Sequence, residues 1–453
     1  MTEIIFLINN KINEFVWGPV TLFILLGLGS YITIKTGFFQ FTKVKEIATN
    51  TIVSIFKGDI KSTDSSNVSP YQAMTAAVAS SVGVGSIAGV STAIVAGGPG
   101  AIFWMWMSAL VGMMTKYAEV VLAVHFREQD KNGIHYGGPM YYIEKGLSCK
   151  PLAIAFALFT GVSCFNIGNM TQANSIAASL QAAFHLSPSF TGVVLACLSA
   201  VVIFGGVTRI TRVSEKLVPV MAVFYIIGSC IVIIQNIGVV PQVMKLIFAE
   251  AFSLRSVGSG AFGYGVFLAM RFGIARGVFS NEAGLGSAPI MHAAANTDSP
   301  VRQGMWGIFE VFVTTICICS MTALVVLTSN VLQTGHSGVV LVSAAFSKTF
   351  GSYGGAFVAI AIFFFAFFTM IGWAYFGVCS RGYIFSNHKP LVSKVVRIIW
   401  LPIVFIGSVA ELELVWGIAD TFNGLMMIPN LAALFGLSGI VFKLTKKYIA
   451  ANC

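Results

Sequence analysis

The sequence predicts an all-α protein that crosses the membrane about eleven times. Three observations support this fold class. Hydrophobic residues make up 56% of the 453 positions, and the mean hydropathy is +0.85. Only 10% of the residues are charged, whereas a soluble domain averages about 25%. Such a chain has too little charge to cover a soluble surface of this size, so a soluble globular protein is excluded.

Eleven apolar segments follow one another along the chain, with short loops between them. We expect no cleaved signal peptide, because the first residues lack a basic region and a small-residue cleavage site ahead of the first long apolar run. The eleven segments lie near 16–34, 71–97, 100–124, 151–180, 190–207, 217–236, 258–288, 304–329, 353–380, 392–409 and 413–441.

The positive charges indicate how these segments are oriented. With the N-terminus placed outside, twenty Lys and Arg residues fall on the inner side and four on the outer side. Cytoplasmic loops are enriched in Lys and Arg, so the N-terminus is predicted outside and the C-terminus in the cytoplasm. The net charge of +10 therefore reflects topology, and no nucleic-acid partner is expected.

The eight cysteines indicate neither a disulfide framework nor a metal site. Six of them lie inside apolar stretches, where cysteine behaves as a small hydrophobe. Cys317 and Cys319 lack the spacing of a metal or redox motif. We therefore expect no cofactor, and the sequence gives no sign of an obligate protein partner.

The second segment contains a cluster of small residues at mid-membrane depth. Gly83 and Gly85 flank a single residue, and each weakens a helix by about 1 kcal/mol relative to alanine. A helix break there would expose backbone groups that can bind an anion or a cation in a polar cavity. The alternative is a helix-packing face, because Gly85 and Gly89 fit the GxxxG pattern. The match of Gly83 to Ala88 with a GxGxxA dinucleotide motif is attributed to chance, since no strand precedes it.

The seventh segment predicts a second break. Glycines surround Asn281 and Glu282 in a stretch expected at membrane depth. A charged side chain at mid-membrane costs about 2.5–3.5 kcal/mol, so Glu282 indicates a functional site. The alternative is a structural Glu282 that pairs with Arg276 or caps a half-helix.

The two interrupted segments resemble each other and start on opposite sides of the predicted membrane. Residues 88–93 align with residues 283–288 at an offset of 195 positions. Two related units of opposite orientation, each opening with a broken helix, are typical of inverted repeats. We therefore divide the chain into an N-terminal helix and loop (1–70), a first five-helix unit (71–240) and a second five-helix unit with a short cytoplasmic tail (241–453).

Two other segments carry polar side chains. The fourth segment has three Asn and one Gln within nine residues, and Asn169 and Gln172 share a helix face. Buried amides are costly unless they bond each other or a ligand, although a packing role is the alternative. In the ninth segment, Thr369 is a candidate cation ligand and lies one turn from Trp373, a residue type that often serves packing alone.

Three blocks of the sequence resemble the alanine or glycine:cation symporter family, and the resemblance covers nearly the whole chain. The blocks are GGPGAIFWMW at 97–106, TKYAE at 115–119 and GVFSNEAGLGSAP at 277–289. The resemblance implies the leucine-transporter fold, with five plus five inverted helices and here one extra helix in front. It also implies a multi-pass protein of the bacterial or archaeal inner membrane that imports alanine or glycine with sodium as the co-transported cation.

The resemblance also implies roles for individual residues. The N–H groups of Val84 and Gly85 would hold the substrate carboxylate. The carbonyls of Ala79 and Val82, with the Thr369 hydroxyl, would bind sodium.

Other positions would complete the site. Ser86 stands where several relatives have Asn, and is the candidate ligand of a second sodium site. Asn281 would lie on the second break, and Asn169 belongs to the candidate substrate-binding residues. The pocket that admits alanine or glycine would be walled by Phe165, Gln172, Phe279 and Trp373.

Three other functions are conceivable for a helical membrane protein of this kind. A membrane-embedded enzyme would need an activated nucleophile or metal ligands, and the sequence has neither HExxH nor a P-loop. All six His residues are predicted in loops or at segment ends. A channel could use the same broken helices, and a carrier for another small amino acid could be coupled to protons. The enzyme is rejected, while the other two remain alternatives to a sodium symporter.

Overall fold

The computed structural model describes residues 9, 11–57, 68–130, 133–253, 264–410 and 412–452. Nearly all of these residues are helical, and the one sheet among them is a hairpin of β1 (Glu128–Gln129) and β2 (His135–Tyr136). The predicted all-α membrane fold is therefore confirmed.

The helices fall into two stretches of the chain. The first stretch contains α1 (Pro19–Lys35), α2 (Phe39–Thr42), α3 (Val44–Ala48), α4 (Ser54–Lys57), α5 (Pro70–Ser81), α6 (Ala88–Gly97), α7 (Ala101–His125), α8 (Pro139–Leu147), α9 (Lys150–Phe165), α10 (Thr171–Phe184), α11 (Pro188–Ile203) and α12 (Gly206–Gln235). The second contains α13 (Val240–Glu250), α14 (Tyr264–Asn281), α15 (Ala288–His292), α16 (Pro300–Val311), α17 (Ser320–Thr328), α18 (Gly338–Phe350), α19 (Tyr353–Ile384), α20 (Lys389–Val409) and α21 (Leu412–Asn452).

Several of these helices begin at a serine–proline pair, with serine at the N-cap and proline in the first turn. Helices α5, α11 and α16 each start with proline at the first turn, where its fixed φ suits a helix and its missing N–H costs nothing. The preceding Ser69, Ser187 and Ser299 each accept a backbone N–H of the first turn. At α5 the cap is reciprocal, because the Gln72 side chain accepts the Ser69 N–H.

Eight helical stretches in the described part of the chain are long and apolar enough to cross a membrane. They are Lys11–Lys35, Ala101–His125, Lys150–Phe184, Gly206–Gln235, Pro300–Thr328, Tyr353–Ile384, Ser386–Val409 and Gly417–Ala451. The other three predicted segments correspond to α11, which has 16 residues, and to the interrupted pairs α5–α6 and α14–α15. The start of the seventh segment, at 258–263, lies outside the described residues.

One of the predicted segment boundaries was wrong by a wide margin. Helix α12 begins at Gly206 instead of 217, so Arg209 and Arg212 lie on a helix and not in a loop. A helix continues beyond the apolar core of a membrane wherever its backbone bonds allow, whereas an apolar run ends at the first charges. The short helices α8, α13 and α18 were not predicted, because 9 to 13 residues are too few to span.

Helix α7 lies at the centre of the molecule. Of its most apolar stretch 83% is buried, against 33% for α12 and 28% for the stretch that contains α20. It packs against α14 and α16 and also touches α1. Helices α14, α15 and α16 therefore pack around α7, while α12 and α20 lie toward the periphery.

Candidate functional site

The second predicted segment is broken, as its glycines indicate. Helix α5 ends at Ser81, a short 3₁₀ turn spans Val84–Ser86, and α6 starts at Ala88. All residues from 82 to 87 are buried. Backbone groups at such a break need partners from other helices, because hydrocarbon offers none.

The chain at Gly83 comes close to two other helices. A Cβ atom on Gly83 would lie 2.7 Å from the Thr369 Oγ1 of α19 and 2.8 Å from the Gln172 Oε1 of α10. Real Cβ atoms do not approach other atoms this closely. A larger residue at 83 would therefore displace Thr369 or Gln172, whereas glycine lets a hydroxyl and an amide lie against the broken backbone.

Thr369 lies at the end of α5. Its Oγ1 is 2.9 Å from the carbonyl oxygen of Ala79 and 3.1 Å from that of Phe365. Val82 follows α5 directly and is fully buried. Of the three predicted sodium ligands, the structure thus places Ala79 and Thr369 in contact. A hydroxyl and a carbonyl are the hard oxygen ligands that cations without soft character prefer.

The Gln172 side chain is hydrogen-bonded to the Val84 N–H, one of the two groups predicted to bind the substrate carboxylate. Its Oε1 accepts from the Val84 N–H at 3.2 Å, and its Nε2 donates to the Ile167 carbonyl at 3.0 Å. A π-helical turn, Asn166–Met170, separates α9 from α10 just before this residue. The structure therefore brings Val84 and Gln172 together, but in contact with each other.

Phe279 closes the other side of the break. A Cβ on Gly85 would be 2.6 Å from the Phe279 ring, so only glycine fits between ring and backbone. The guanidinium of Arg276 lies 5.7 Å from the centre of the same ring, within cation–π range. The structure thus brings Phe279 and Gly85 together, while their roles in substrate binding stay predictions.

The contacts described for Phe165 and Asn169 are with residues of α19 and α20, not with the broken backbone at Gly83. The Phe165 ring packs against Trp400 of α20, with 5.8 Å between ring centres, and lies under the Arg381 guanidinium at 4.2 Å. Asn169 donates from Nδ2 to the Trp400 carbonyl at 3.0 Å. The role of these two residues in a pocket stays a prediction.

The seventh segment is broken as well. Helix α14 ends at Asn281, and Glu282, Gly284 and Gly286 adopt the left-handed conformation with φ of 56°, 91° and 80°. Asn281 stabilises the turn, because its Oδ1 accepts a hydrogen bond from the Ala283 N–H at 2.9 Å. Asn281 therefore lies on the second break, as predicted.

Glu282 does not pair with Arg276, contrary to the alternative raised from the sequence. One carboxylate oxygen accepts from the indole N–H of Trp373 at 3.0 Å, and the other accepts from the Ser287 hydroxyl. Arg276 binds both carboxylate oxygens of Asp420 instead, at 3.0 and 2.8 Å. Residues six apart do not share a helix face, whereas α21 presents Asp420 directly.

A second buried carboxylate supports this break. One oxygen of Glu119 on α7 accepts from the N–H groups of Gly284 and Gly286, each at 3.0 Å, and from Asn430 Nδ2 at 2.6 Å. Asn430 also donates to the Gly284 carbonyl at 2.8 Å. Glu119 and Asn430 thus satisfy backbone groups that the interrupted helix leaves without helical partners.

We expect Glu119→Ala to destabilise the protein. The substitution leaves two buried N–H groups without an acceptor, and each unsatisfied group costs about 1–3 kcal/mol. The thermal midpoint of the purified protein in detergent should fall, and Glu119→Gln, which keeps one acceptor oxygen, should fall less. Equal midpoints for wild type and the alanine variant would show that Glu119 does not hold the break.

Ser86 belongs to a buried group of hydroxyls and a thiol that joins the two breaks. Its Oγ lies 2.6 Å from Ser280 Oγ on α14, which is 3.1 Å from Cys319 Sγ. The Ser86 carbonyl accepts from Thr322 Oγ1 at 2.8 Å. The structure therefore places the Ser86 hydroxyl beside that of Ser280 and its carbonyl beside the Thr322 hydroxyl, while its assignment to a second sodium site stays a prediction.

Sequence reasoning missed one more cluster, formed by Lys116, Glu310 and His292. All three side chains are fully buried and in contact. His292 lies at the end of α15, as expected of a segment end, and its side chain is fully buried. Lys116 and Glu310 carry the same signal as Glu282, a charge in an apolar segment, which would have singled them out. In the described parts of the chain, no group of three or more His, Cys, Asp and Glu could hold a metal ion.

The family described as "Sodium:alanine symporter family" matches residues 2–452. The sodium/alanine symporter AgcS of Methanococcus maripaludis is 42% identical over 447 residues, which cover 97% of this chain and 96% of the relative. The amino-acid carrier protein AlsT of Bacillus subtilis is 38% identical over 445 residues, which cover 97% and 92%.

A likeness to solved structures concerns the fold. The crystal structure of MhsT in complex with L-phenylalanine aligns with a TM-score of 0.58 at 17% identity, over 81% of this chain and 94% of that chain. At this identity the likeness carries the fold alone, and the fold is that of the leucine transporter.

Proposed function

The chain belongs to the sodium:alanine symporter family, and from this premise we propose that it imports a small neutral amino acid, alanine or glycine, together with sodium by alternating access. It is a multi-pass membrane transporter and not an enzyme. The observation that carries the proposal is the contact of Thr369 and Gln172 with the broken backbone at Gly83.

Sodium would bind between α5 and α19. The Ala79 carbonyl and the Thr369 hydroxyl already lie 2.9 Å apart, and the carbonyl of Val82 at the end of α5 would complete the set. Binding requires only that the hydroxyl turn its proton away from Ala79, so that both oxygens face the ion. The arrangement joins the first broken helix to α19 and so links sodium to the position of the break.

The amino acid would bind at the break itself. Its carboxylate needs N–H donors, which Val84 and Gly85 would supply after the Gln172 oxygen leaves Val84. The released amide oxygen of Gln172 would then accept from the substrate ammonium. Substrate thus exchanges one hydrogen bond inside the protein for three to itself, so little binding energy is lost in opening the site.

The walls of the pocket favour a small side chain. Phe279 covers Gly85, and Trp373 is held by Glu282 and packs so closely on the π-helical turn that a Cβ on Gly168 would lie 2.1 Å from it. We infer that a pocket between these two rings would admit a methyl group or a hydrogen and exclude a larger side chain. We assign Phe165, Asn169 and Asn281 to the surroundings of this pocket, and Ser86 to a second sodium site.

The driving force follows from the charge on sodium. Each elementary charge that moves inward through 100 mV gains about 2.3 kcal/mol. At about 1.4 kcal/mol per decade, this supports an accumulation of about 50-fold per charge. We further propose that the N-terminus lies outside and the C-terminus in the cytoplasm, and that 71–240 and 241–453 are inverted repeats preceded by the extra helix of 1–70.

The proposal is tested by uptake of labelled alanine and glycine into proteoliposomes. An inward sodium gradient should drive accumulation of at least one of them, and excess unlabelled leucine should compete poorly because the rings exclude it. Accumulation that follows a proton gradient alone would overturn sodium coupling, and unitary currents would favour a channel.

A further inference from the structure

Glu282 has a backbone conformation that a glutamate rarely adopts. Its φ of 56° lies in the left-handed region that favours glycine. Four other described residues besides glycine have a positive φ, and all four are exposed, namely Phe38, Ser148, His185 and Asn330. Glu282 is only 3% exposed. Glycine would fit this buried backbone better, so the turn alone does not account for a glutamate here.

The Glu282 carboxylate contacts two groups, one of which belongs to another helix. Oε1 accepts from the indole N–H of Trp373 on α19 at 3.0 Å, and Oε2 accepts from the hydroxyl of Ser287, just before α15. The backbone is fixed on both sides, because the Glu282 N–H donates to the Val278 carbonyl at 2.8 Å and the Glu282 carbonyl accepts from the Leu285 N–H at 3.2 Å. The second break therefore presents this carboxylate to α19 in a defined position.

The base of the Trp373 side chain is fixed by the π-helical turn. A Cβ atom on Gly168 would lie 2.1 Å from the Trp373 Cβ and 2.4 Å from its Cγ, so only glycine lets the side chain lie against this turn. That contact does not set the rotation of the ring about the Cβ–Cγ bond, which is a broad torsion in aromatic side chains. The Phe376 ring packs against the indole at 5.4 Å, a contact without the directionality of a hydrogen bond. The bond to Glu282 is what orients the plane of the indole.

The oriented ring lies beside the first break. Trp373 follows Thr369 by one turn on the same face of α19, and Thr369 contacts the Ala79 carbonyl of α5. In the same turn, a Cβ atom on Gly372 would be 2.6 Å from the Ser80 Cβ, so α19 lies directly against α5 here. The indole therefore belongs to the surroundings of the first break, while the carboxylate that orients it belongs to the second.

We propose that Glu282 is a positioning residue that acts through Trp373 and sets the largest side chain that the transporter accepts. This rests on the proposed function, in which Trp373 walls the substrate pocket, and adds how that wall is held. With the hydrogen bond in place, the indole keeps the plane that excludes branched side chains. Without it, the ring turns about its Cβ–Cγ bond, and side chains larger than a methyl group gain room.

The test measures substrate selectivity, which a general loss of stability does not change. Binding of labelled alanine to the purified protein in sodium buffer, and its competition by leucine, give the ratio of the leucine and alanine dissociation constants. Glu282→Gly removes the carboxylate and suits the left-handed backbone, so this variant should keep its fold. Glu282→Asn, a residue type that also tolerates this backbone and is one methylene shorter than glutamate, is the second variant of this kind. Trp373→Phe keeps an aromatic ring that has no N–H to donate.

We expect the ratio to fall about tenfold in Glu282→Gly, because an apolar pocket separates side chains that differ by one methylene by about 10–200-fold. Glu282→Gln should keep the ratio near that of wild type, since its amide oxygen accepts from the indole and its NH₂ group donates to the Ser287 hydroxyl. In the Trp373→Phe background, adding Glu282→Gly should leave the ratio unchanged, because no N–H remains to be held.

Trp400→Phe is the matched control. Trp400 of α20 is also buried, and its Nε1 has no hydrogen-bond partner in the part of the chain that the structure describes. The same substitution there removes no such hydrogen bond, so the ratio should stay within about twofold of wild type.

Three results would overturn the proposal. One is an unchanged ratio in a Glu282→Gly or Glu282→Asn variant that binds alanine. Another is a ratio that falls further when Glu282→Gly is added to Trp373→Phe, since Glu282 would then not act through the indole. The third is loss of all alanine binding by a folded Glu282→Gly variant, which would make the residue necessary for the site itself. Absence of sodium-dependent alanine and glycine binding by the wild-type chain would instead count against the transport function.

Discussion

Replacing Thr369 with alanine is expected to raise the sodium concentration needed for half-maximal uptake by about tenfold or more. The variant loses the one hydroxyl that contacts the Ala79 carbonyl from α19. A polar contact to a charged group is worth about 1.5–3 kcal/mol, and about 1.4 kcal/mol corresponds to a factor of ten in affinity. The measurement is alanine uptake into proteoliposomes as a function of external sodium.

Thr369→Ser is the matched control for this experiment. Serine keeps the oxygen and loses only a methyl group, so its sodium dependence should stay close to that of wild type. An alanine variant with an unchanged sodium requirement would remove Thr369 from the sodium site.

Replacing Gly83 with alanine is expected to lower uptake about tenfold to a hundredfold. The new Cβ would collide with Thr369 Oγ1 at 2.7 Å and Gln172 Oε1 at 2.8 Å, so both side chains must move. Overpacking of this kind costs about 1–3 kcal/mol, and each 1.36 kcal/mol on a barrier is tenfold in rate. Initial uptake rates at saturating sodium and alanine measure the effect.

Gly27→Ala provides the comparison for Gly83→Ala. Gly27 lies on α1, and no atom is within 4 Å of the Cβ that it would carry. This variant should transport as wild type does, and both variants should elute as single peaks in size-exclusion chromatography. Undiminished uptake by Gly83→Ala would mean that the close approach at Gly83 is not part of the site.

Both helix breaks could be predicted from the sequence, because the residues that cause each break lie within the broken segment itself. Gly83 and Gly85 weaken one helix, and Gly284 and Gly286 adopt positive φ in the other. The placement of Thr369 beside the first break was implied by the family resemblance. The residues of the ninth segment alone do not indicate which helix Thr369 contacts. The structure then joined it to Ala79, 290 residues away in sequence.

The contacts around the second break could not be predicted in the same way. The sequence offered Arg276 as the partner of Glu282 because the two are near in the chain, but Asp420 competes for the guanidinium from another helix. Glu119 and Glu310 are recognisable in the sequence as charges within apolar segments. This pattern does not indicate which groups the two carboxylates contact. Only the packing of α7 against α14 and α16 decides which backbone N–H or ammonium each carboxylate meets.

The central claim, that sodium and the amino acid share one linked site at the first break, is tested most directly by equilibrium binding. Alanine affinity of the purified protein is measured by calorimetry in sodium and in choline buffers at equal ionic strength. The account predicts tighter binding in sodium and, by thermodynamic reciprocity, an equal gain in sodium affinity when alanine is present. The same alanine affinity in both buffers would contradict it.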